Sequence, residues 1–424
     1  MYLIAVFFTT LILVTFISLK YRISPFFTLT GGALFFGLLT GLSFDSAITE
    51  VMKGMGNTFA AFGIIIFSGS VIAKILQAQN QADDIVNDIR RIVKNPPALS
   101  GVAGYLLSIP IACCITAYLL IFPIIESLEK NHARRNILLY IAATASIVSY
   151  VLIYPTPVVI PLFNEFSMGM SPLLYDAVAL PLSLLLLAGI ILAGKKRLEK
   201  THSDDTDTDR NSSQKNKEGG IRFHKRAWAP FIVMFLALPA GFFILGLSHV
   251  GIINFVMLAG VISAVILASS KIRRGAVNKG SKHAGLIIFD ICGAGGFGYV
   301  IIKSGLAAEV MNSYPDFLPV VFIPFIIAAL IETAQGSRLV TSIISADFIA
   351  QTAIPGLINP ISLIFLVSAG ACFISFVTDP YFWLIKQTTG DEPKEVIKHY
   401  TLPLAASGLL ILVFAVILEF LVFA

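Results

Sequence analysis

Apolar runs of about one membrane thickness recur along the chain, separated by short polar segments. A helix needs roughly 20 apolar residues to cross the hydrocarbon core of a bilayer. Runs that meet this length lie at 2–19, 23–42, 59–76, 137–163, 173–193, 228–247, 250–269, 284–304, 358–384 and 402–424. Two further apolar stretches, 98–125 and 317–349, are interrupted by polar and helix-breaking residues. The segment 194–227 is polar and mixed in charge, and carries no apolar periodicity. It predicts a disordered linker between a first half, 1–193, and a second half, 228–424.

Composition sharpens this pattern into a class. The 424 residues are 56% hydrophobic and 13% charged, and mean hydropathy is +0.85. Soluble domains average about 25% charged residues, so the chain reads as an all-α, multi-pass membrane protein. The first run has no basic residues before it and no small-residue cleavage signature after it, which makes it a first span and not a signal peptide. The net charge of +5 lies in loops. No basic run is interleaved with aromatics, which argues against nucleic acid as a partner. Cys113, Cys114, Cys292 and Cys372 sit in apolar segments without a CxxC spacing, and the six histidines fall at span ends or in loops. Neither a metal site nor a cofactor site is expected.

Lys and Arg excess marks cytoplasmic loops. The basic loops are 20–22, 77–97, 126–136, 194–227, 270–283 and 385–401. Loops 164–172, 248–249, 305–316 and 350–357 contain no Lys or Arg, and loop 43–58 has only Lys53. With the basic loops inside, both chain termini fall outside. Stretch 98–125 then enters and leaves on the cytoplasmic side, and 317–349 enters and leaves from outside. Both read as re-entrant hairpins, tolerated where they are buried in protein or line a cavity. Each half has five spans and one hairpin, so the second half starts on the opposite side from the first, an inverted repeat. Spacing agrees: Gly63 and Gly285 are 222 positions apart, Cys113 and Gln335 also 222, and Pro155 and Asp379 are 224 apart. Inverted repeats with paired broken elements are a signature of secondary transporters.

Four interruptions carry the candidate chemistry. They are "SIPIACCITAY" (108–118), "IYPTPVVIP" (153–161), "ETAQGSR" (332–338) and "FVTDPYFW" (376–383). Pro110, Pro155, Pro157 and Pro380 each remove a backbone donor and free main-chain groups at mid-membrane depth. Half-helix N-termini hold anions and freed carbonyls hold cations. Thr116, Thr156, Thr333, Gln335, Gly336, Ser337, Arg338 and Thr378 are the candidate substrate-binding residues. Asp379 and Glu332 are candidates for ion coupling, since an intramembrane carboxylate is a functional hypothesis by default. Asp379 before Pro380 is also a good helix start. Glu332 and Arg338 can pair with each other, meet the substrate, or snorkel outward. Asp290, one-third along its span, can face water or a neighbouring element, and Glu419 has no evident role. The "GAGGFG" run (293–298) follows no strand, so close helix packing, not nucleotide binding, is its expected use.

At these motifs the sequence resembles the gluconate permease family, proton-coupled sugar-acid symporters of the wider ion-transporter superfamily. The resemblance covers roughly 24–420 and rests on "GMGNTFAAFGIIIFSGSVIAKIL" (54–76), "SIPI" (108–111), "YPTPVVI" (154–160), "GAGGFG" (293–298), "AQGS" (334–337) and "TDPYFW" (378–383). It implies a homodimer, two re-entrant hairpins, and an elevator-like transport domain carrying aldonate-type carboxylates past a scaffold. The family places Arg before "AQGS" and small residues after it; this chain has Glu332 before and Arg338 after.

The expected function is therefore symport of a small organic anion, such as gluconate or a related sugar acid, with a cation (proton or sodium) across the cytoplasmic membrane. A hydroxy acid, dicarboxylate or amino acid is an alternative cargo. A cation/proton antiporter on the same architecture is an alternative function. A membrane enzyme needs a nucleophile with a base in reach, and no intramembrane His or Ser/Lys pair supplies one.

Overall fold

A computed structural model of the chain describes residues 2–21, 23–204, 224–247, 249–306, 309, 319–375 and 378–422. Among the described residues no strand is present. The first elements are α1 (Tyr2–Tyr21), α2 (Pro25–Leu39), α3 (Phe44–Ala78), α4 (Gln81–Ile92), α5 (Pro96–Ile111), α6 (Cys114–Leu128), α7 (His132–Leu152), α8 (Val159–Phe166) and α9 (Pro172–Asp204). After them come α10 (Lys225–Pro239), α11 (His249–Leu267), α12 (Ser270–Ser304), α13 (Ile323–Gln335), α14 (Arg338–Ala350), α15 (Pro360–Phe373), α16 (Pro380–Thr389), α17 (Pro393–Val396) and α18 (Leu402–Val422). Helical stretches at 44–78, 132–152, 172–199, 270–304 and 393–420 are long and apolar enough to cross a bilayer, and seven more apolar helices are shorter. The protein is an all-helical, multi-pass membrane protein.

Several expected loops are helix. Residues 44–58 form the first turns of α3, because Ala47, Val51, Gly54 and Thr58 recur at helical spacing on a buried face while Asp45, Thr49, Lys53 and Asn57 are exposed. Residues 270–283 likewise open α12. Within 77–97, α4 is amphipathic, burying Ala82, Ile85, Val86 and Ile89. Helix α9 continues through Gly194 to Asp204, so the polar segment begins as helix; its residues 205–223 lie outside the described ones, as do 307, 308, 310–318, 376 and 377. The two interrupted stretches are helix pairs, α5–α6 and α13–α14, each folded about a left-handed residue, Ala112 (φ 55°) and Gly336 (φ 63°).

The chain divides into two compact units, 1–67 with 147–184 and 281–424, and 68–146 with 185–280. Neither coincides with a sequence half, because α3, α7, α9 and α12 each carry residues of both. In the first unit, α13, α14 and α15 pack on one another, α8 packs on α14 and α15, and α15 packs on α18. Phe7 of α1 lies against Phe36, Phe297 and Phe348, at centroid separations of 6.0, 6.2 and 6.4 Å. Tyr175 links Phe163 and Phe365 in the same way. The "GAGGFG" run is a packing device: a Cβ on Gly54 would strike the Gly295 carbonyl, and one on Gly293 would lie 3.1 Å from Phe26. In the second unit α5 packs on α6, and α4 packs on α6 and α10. Buried Asp88 of α4 accepts from the His224 amide (2.9 Å) and the Trp228 indole (3.2 Å), tying α4 to the start of α10.

Backbone-to-backbone contact at Gly54 leaves no side chain able to yield. Gly54→Val is expected to destabilise the detergent-purified protein by about 1–3 kcal/mol, the usual cost of overpacking, read as a lower unfolding temperature. An unchanged temperature would mean that α3 and α12 do not approach this closely.

Candidate functional site

The α13–α14 turn is built from two caps. Gly336 ends α13 in the left-handed region, its amide bonding the Glu332 carbonyl at 2.7 Å. Ser337 starts α14, its hydroxyl accepting from the Val340 amide at 3.5 Å. A Cβ at Gly336 would collide with the Thr378 carbonyl group, and its next nearest atom would be the Asp379 amide nitrogen. Glycine is required here twice, for its φ and for that approach. The Thr378 hydroxyl donates to the Thr333 carbonyl at 2.9 Å. The tip of the hairpin is thereby stitched to the residues just before α16.

Asp379 opens α16 as its cap, one carboxylate oxygen accepting from the Tyr381 amide at 2.7 Å. Its other oxygen accepts from Arg338 (3.2 Å), from the Tyr400 hydroxyl (3.0 Å) and from the Ser375 hydroxyl. Arg338, the first residue of α14, also donates to Tyr400 at 3.2 Å. Both charged side chains are buried, at 5% and 1% exposure. Two helix N-termini, at Ser337 and Asp379, are therefore brought together, and the Arg338–Asp379 ion pair links them.

Glu332, near the end of α13, is fully buried. One oxygen accepts the Thr341 hydroxyl at 2.8 Å and the other has no hydrogen-bond partner. Thr333 donates to the Ala329 carbonyl of its own helix at 2.7 Å. The Gln335 side chain lies outside the described residues.

The break between α7 and α8 contains Pro155 and Pro157, with a cis Tyr154–Pro155 bond. Its freed groups find partners. Thr156 donates to the Tyr150 carbonyl (2.7 Å), Tyr175 to the Leu152 carbonyl (2.9 Å), and the Tyr154 amide to Asp176 (3.0 Å). In the second unit, Pro110 lies in the last turn of α5 and Cys113 caps α6. The Thr116 hydroxyl lies 3.2 Å from the Cys113 sulfur, to which it donates.

Of the residues singled out from sequence, Glu332, Thr333, Gly336, Ser337, Arg338, Thr378, Asp379 and Pro380 come together. Thr156 is engaged with its own broken helix, and Thr116 and Pro110 belong to the other unit. Sequence reasoning missed Ser375, Tyr400, Thr341 and Asp176. Ser375 stands four residues before Asp379 and was within reach of the argument. Tyr400 reads as an interfacial aromatic, and nothing local marks it as a partner of Arg338. Asp290 and Glu419 prove to be caps: Asp290 accepts from Ser24 (2.7 Å) and the Phe26 amide (3.2 Å) at the start of α2, and Glu419 from the Asn359 amide (3.1 Å) before α15. Among the described residues no cluster of metal-ligating side chains occurs.

Comparison with known proteins identifies the family. The family described as "GntP family permease" matches residues 1–422. The chain belongs to the GntP permease family. It is similar to an uncharacterized permease of Haemophilus influenzae, 25% identical over 90% of this chain and 85% of that one. It is also similar to the low-affinity gluconate transporter of Escherichia coli, 22% identical over 93% of each. Among solved structures it resembles the YdaH transporter of Alcanivorax borkumensis, described as having an unusual topology. That likeness has a TM-score of 0.58 at 14% identity, over 88% of this chain and 87% of the other, and concerns the fold alone. This GntP family member is a transporter and not an enzyme.

Removing one partner of a buried ion pair leaves the other uncompensated, at a cost of about 3–5 kcal/mol, whereas replacing both with apolar groups is often neutral. Arg338→Met and Asp379→Leu are each expected to lower unfolding stability by an amount of this order, and the double variant by clearly less than their sum. Additive losses in equilibrium unfolding would mean that the two side chains do not interact.

Proposed function

We propose that the protein is a secondary active symporter that carries a small carboxylate, gluconate or a related sugar acid, together with a cation, the proton first and sodium second. One observation carries this reading: the Gly336 main chain packs on Thr378 and Asp379, so that two helix N-termini converge beside Arg338. Helix N-termini favour anions, and the planar guanidinium matches a carboxylate. Thr333, Gln335, Gly336, Ser337, Arg338 and Thr378 form the substrate cradle. The substrate carboxylate competes with Asp379 for Arg338. Asp379 and Glu332 are the two candidates for coupling. Thr116, Thr156 and Pro110 rest on their sequence argument alone. The name of the gluconate-transporting relative supports a sugar acid over a cation antiporter without organic cargo.

The two helix pairs fit re-entrant hairpins. Their helices have 13 to 16 residues, about 20–24 Å at 1.5 Å per residue, short of a roughly 30 Å hydrocarbon core. The inverted repeat gains a further landmark, since α3 and α12 each have 35 residues and begin 226 positions apart. In this topology both termini lie outside the cytoplasmic membrane, and the resemblance to gluconate permeases adds a homodimer.

Proteoliposomes with an inward proton gradient are expected to accumulate labelled gluconate or a related sugar acid. Gly336→Ala and Gln335→Ala should each lower the initial rate at least tenfold, equivalent to about 1.4 kcal/mol of lost binding or transition-state stabilisation. Uptake that ignores both pH and sodium gradients would remove the symport reading. Failure of wild-type protein to take up any sugar acid, hydroxy acid, dicarboxylate or amino acid would remove the cargo class.

A further inference from the structure

Four acidic side chains in the apolar segments share one habit. Asp176, Asp290, Asp379 and Glu419 each accept a hydrogen bond from a main-chain amide, those of Tyr154, Phe26, Tyr381 and Asn359. Each repairs a break or a helix start. Glu332 does not. It is 0% exposed, its one hydrogen bond comes from the neutral hydroxyl of Thr341, and its Oε1 is without a partner. Asp347 also lacks a main-chain donor among the described contacts, but it is partly exposed.

The surroundings of Glu332 can be enumerated. From α14, Arg338 acts on it electrostatically, and from the start of α16 Asp379 does the same. From α15, the Cys372 thiol is within electrostatic range. Helix α1, which also packs on α13, has ionisable side chains only at its ends, Tyr2, Lys20 and Tyr21. Arg338 is already engaged by Asp379 and Tyr400. A carboxylate stripped of water and of a contacting cation is costly, whereas the carboxylic acid is not and gains an O–H to donate.

Two further groups stand one helical turn deeper. Ser345 follows Thr341 by four residues on α14, and Ser368 precedes Cys372 by four on α15. Residues four apart share a helix face. Both serines are fully buried, and both hydroxyls lack partners. The three helices that carry Oε1 and these two hydroxyls, α13, α14 and α15, pack on one another, and none of the three groups bonds another directly. Two to four polar groups are what a single bridging water requires.

We propose that Glu332 is the group that takes up and releases the coupling proton, that Ser345 and Ser368 form its relay, and that Asp379 remains the fixed partner of Arg338. This rests on the symport reading. The step is a simple protonation: Oε1 of the carboxylate gains a proton through the serine hydroxyls, the side chain becomes neutral, and the reverse transfer restores its charge. With Glu332 neutral, the positive charge of Arg338 is shared between Asp379 and the incoming carboxylate. With Glu332 ionised, a third negative group competes for the same guanidinium. Protonation and anion binding thus favour each other, which is the thermodynamic requirement for symport.

Infrared titration of purified protein in lipid, without substrate, tests the protonation. The carbonyl stretch of a protonated carboxyl is expected to lose one component in Glu332→Gln, to shift in Thr341→Val, and to persist in Asp379→Asn. In proteoliposomes, Glu332→Gln should keep gluconate counterflow while losing proton-driven accumulation at least tenfold. Ser345→Ala with Ser368→Ala should slow proton-driven uptake more than counterflow. An unchanged carboxyl band in both Glu332→Gln and Thr341→Val, or accumulation by Glu332→Gln equal to wild type, overturns the proposal. Thr341→Val keeps the carboxyl and so serves if Glu332→Gln does not fold. A Glu332 band that titrates in wild-type protein unable to take up any of the acids overturns the symport reading alone.

Discussion

A backbone broken inside hydrocarbon has to find its hydrogen-bond partners within the protein, because no water is there to supply them. The arrangement of polar side chains in this permease follows from that requirement. At the α7–α8 break, Thr156, Tyr175 and Asp176 meet two carbonyls and an amide. At the α15–α16 break, Asp379 meets the Tyr381 amide and Thr401 donates to the Ser375 carbonyl at 2.6 Å. At the hairpin tip, Gly336 and Ser337 close both helix ends. The residues that look functional are in the first place the ones that make the breaks tolerable. Transport chemistry is added to that scaffold by whatever polar capacity is left over.

The Arg338–Asp379 pair shows how the two requirements merge. Burying the pair gains little net stability, since desolvation offsets much of the attraction. What the pair provides is position. Ser375, Tyr400 and the Tyr381 amide hold Asp379 from three directions, and Asp379 in turn aims the guanidinium at the place where two helix N-termini meet. A cation oriented in this way in a low-dielectric setting acts on an anion far more strongly than one free to reorient in water. The left-handed Gly336 is what allows the two main chains to approach closely enough for this, so a conformational property of one residue conditions the electrostatics of the whole tip.

Much of this was legible in the sequence. Pro110, Pro155, Pro157 and Pro380 mark the breaks because proline cannot continue the hydrogen-bond ladder, and the polar "ETAQGSR" run marks the tip because such residues are rare in apolar segments without reason. The pairing of Arg338 with Asp379, 41 positions away, was not legible, since it depends on how α14 and α16 start side by side. Tyr400 was invisible for the same reason. Hydropathy averages over all faces and so predicts loop at the opening turns of α3, whereas a helix needs only one buried stripe, here Ala47, Val51, Gly54 and Thr58. The capping roles of Asp290 and Glu419 lie beyond sequence reasoning, as their amide partners are 264 and 60 residues away.

The family's own pattern gives the distribution of charge a meaning. Where the resemblance leads one to expect Arg before "AQGS", this chain has Glu332, and the cation appears after the motif as Arg338. The exchange moves the positive charge from the end of one helix to the start of the next, where the dipole alone would disfavour it. Asp379 makes that position tenable, and having done so it is committed. Glu332, at the C-terminal end of α13, sits where the dipole also disfavours an anion. A carboxyl at such a helix end, without an amide or cation in contact, is the one acidic group at the tip for which losing the charge breaks no backbone repair. That difference, one carboxylate fixed by structure and the other with no backbone to repair, is what the proposed coupling draws on.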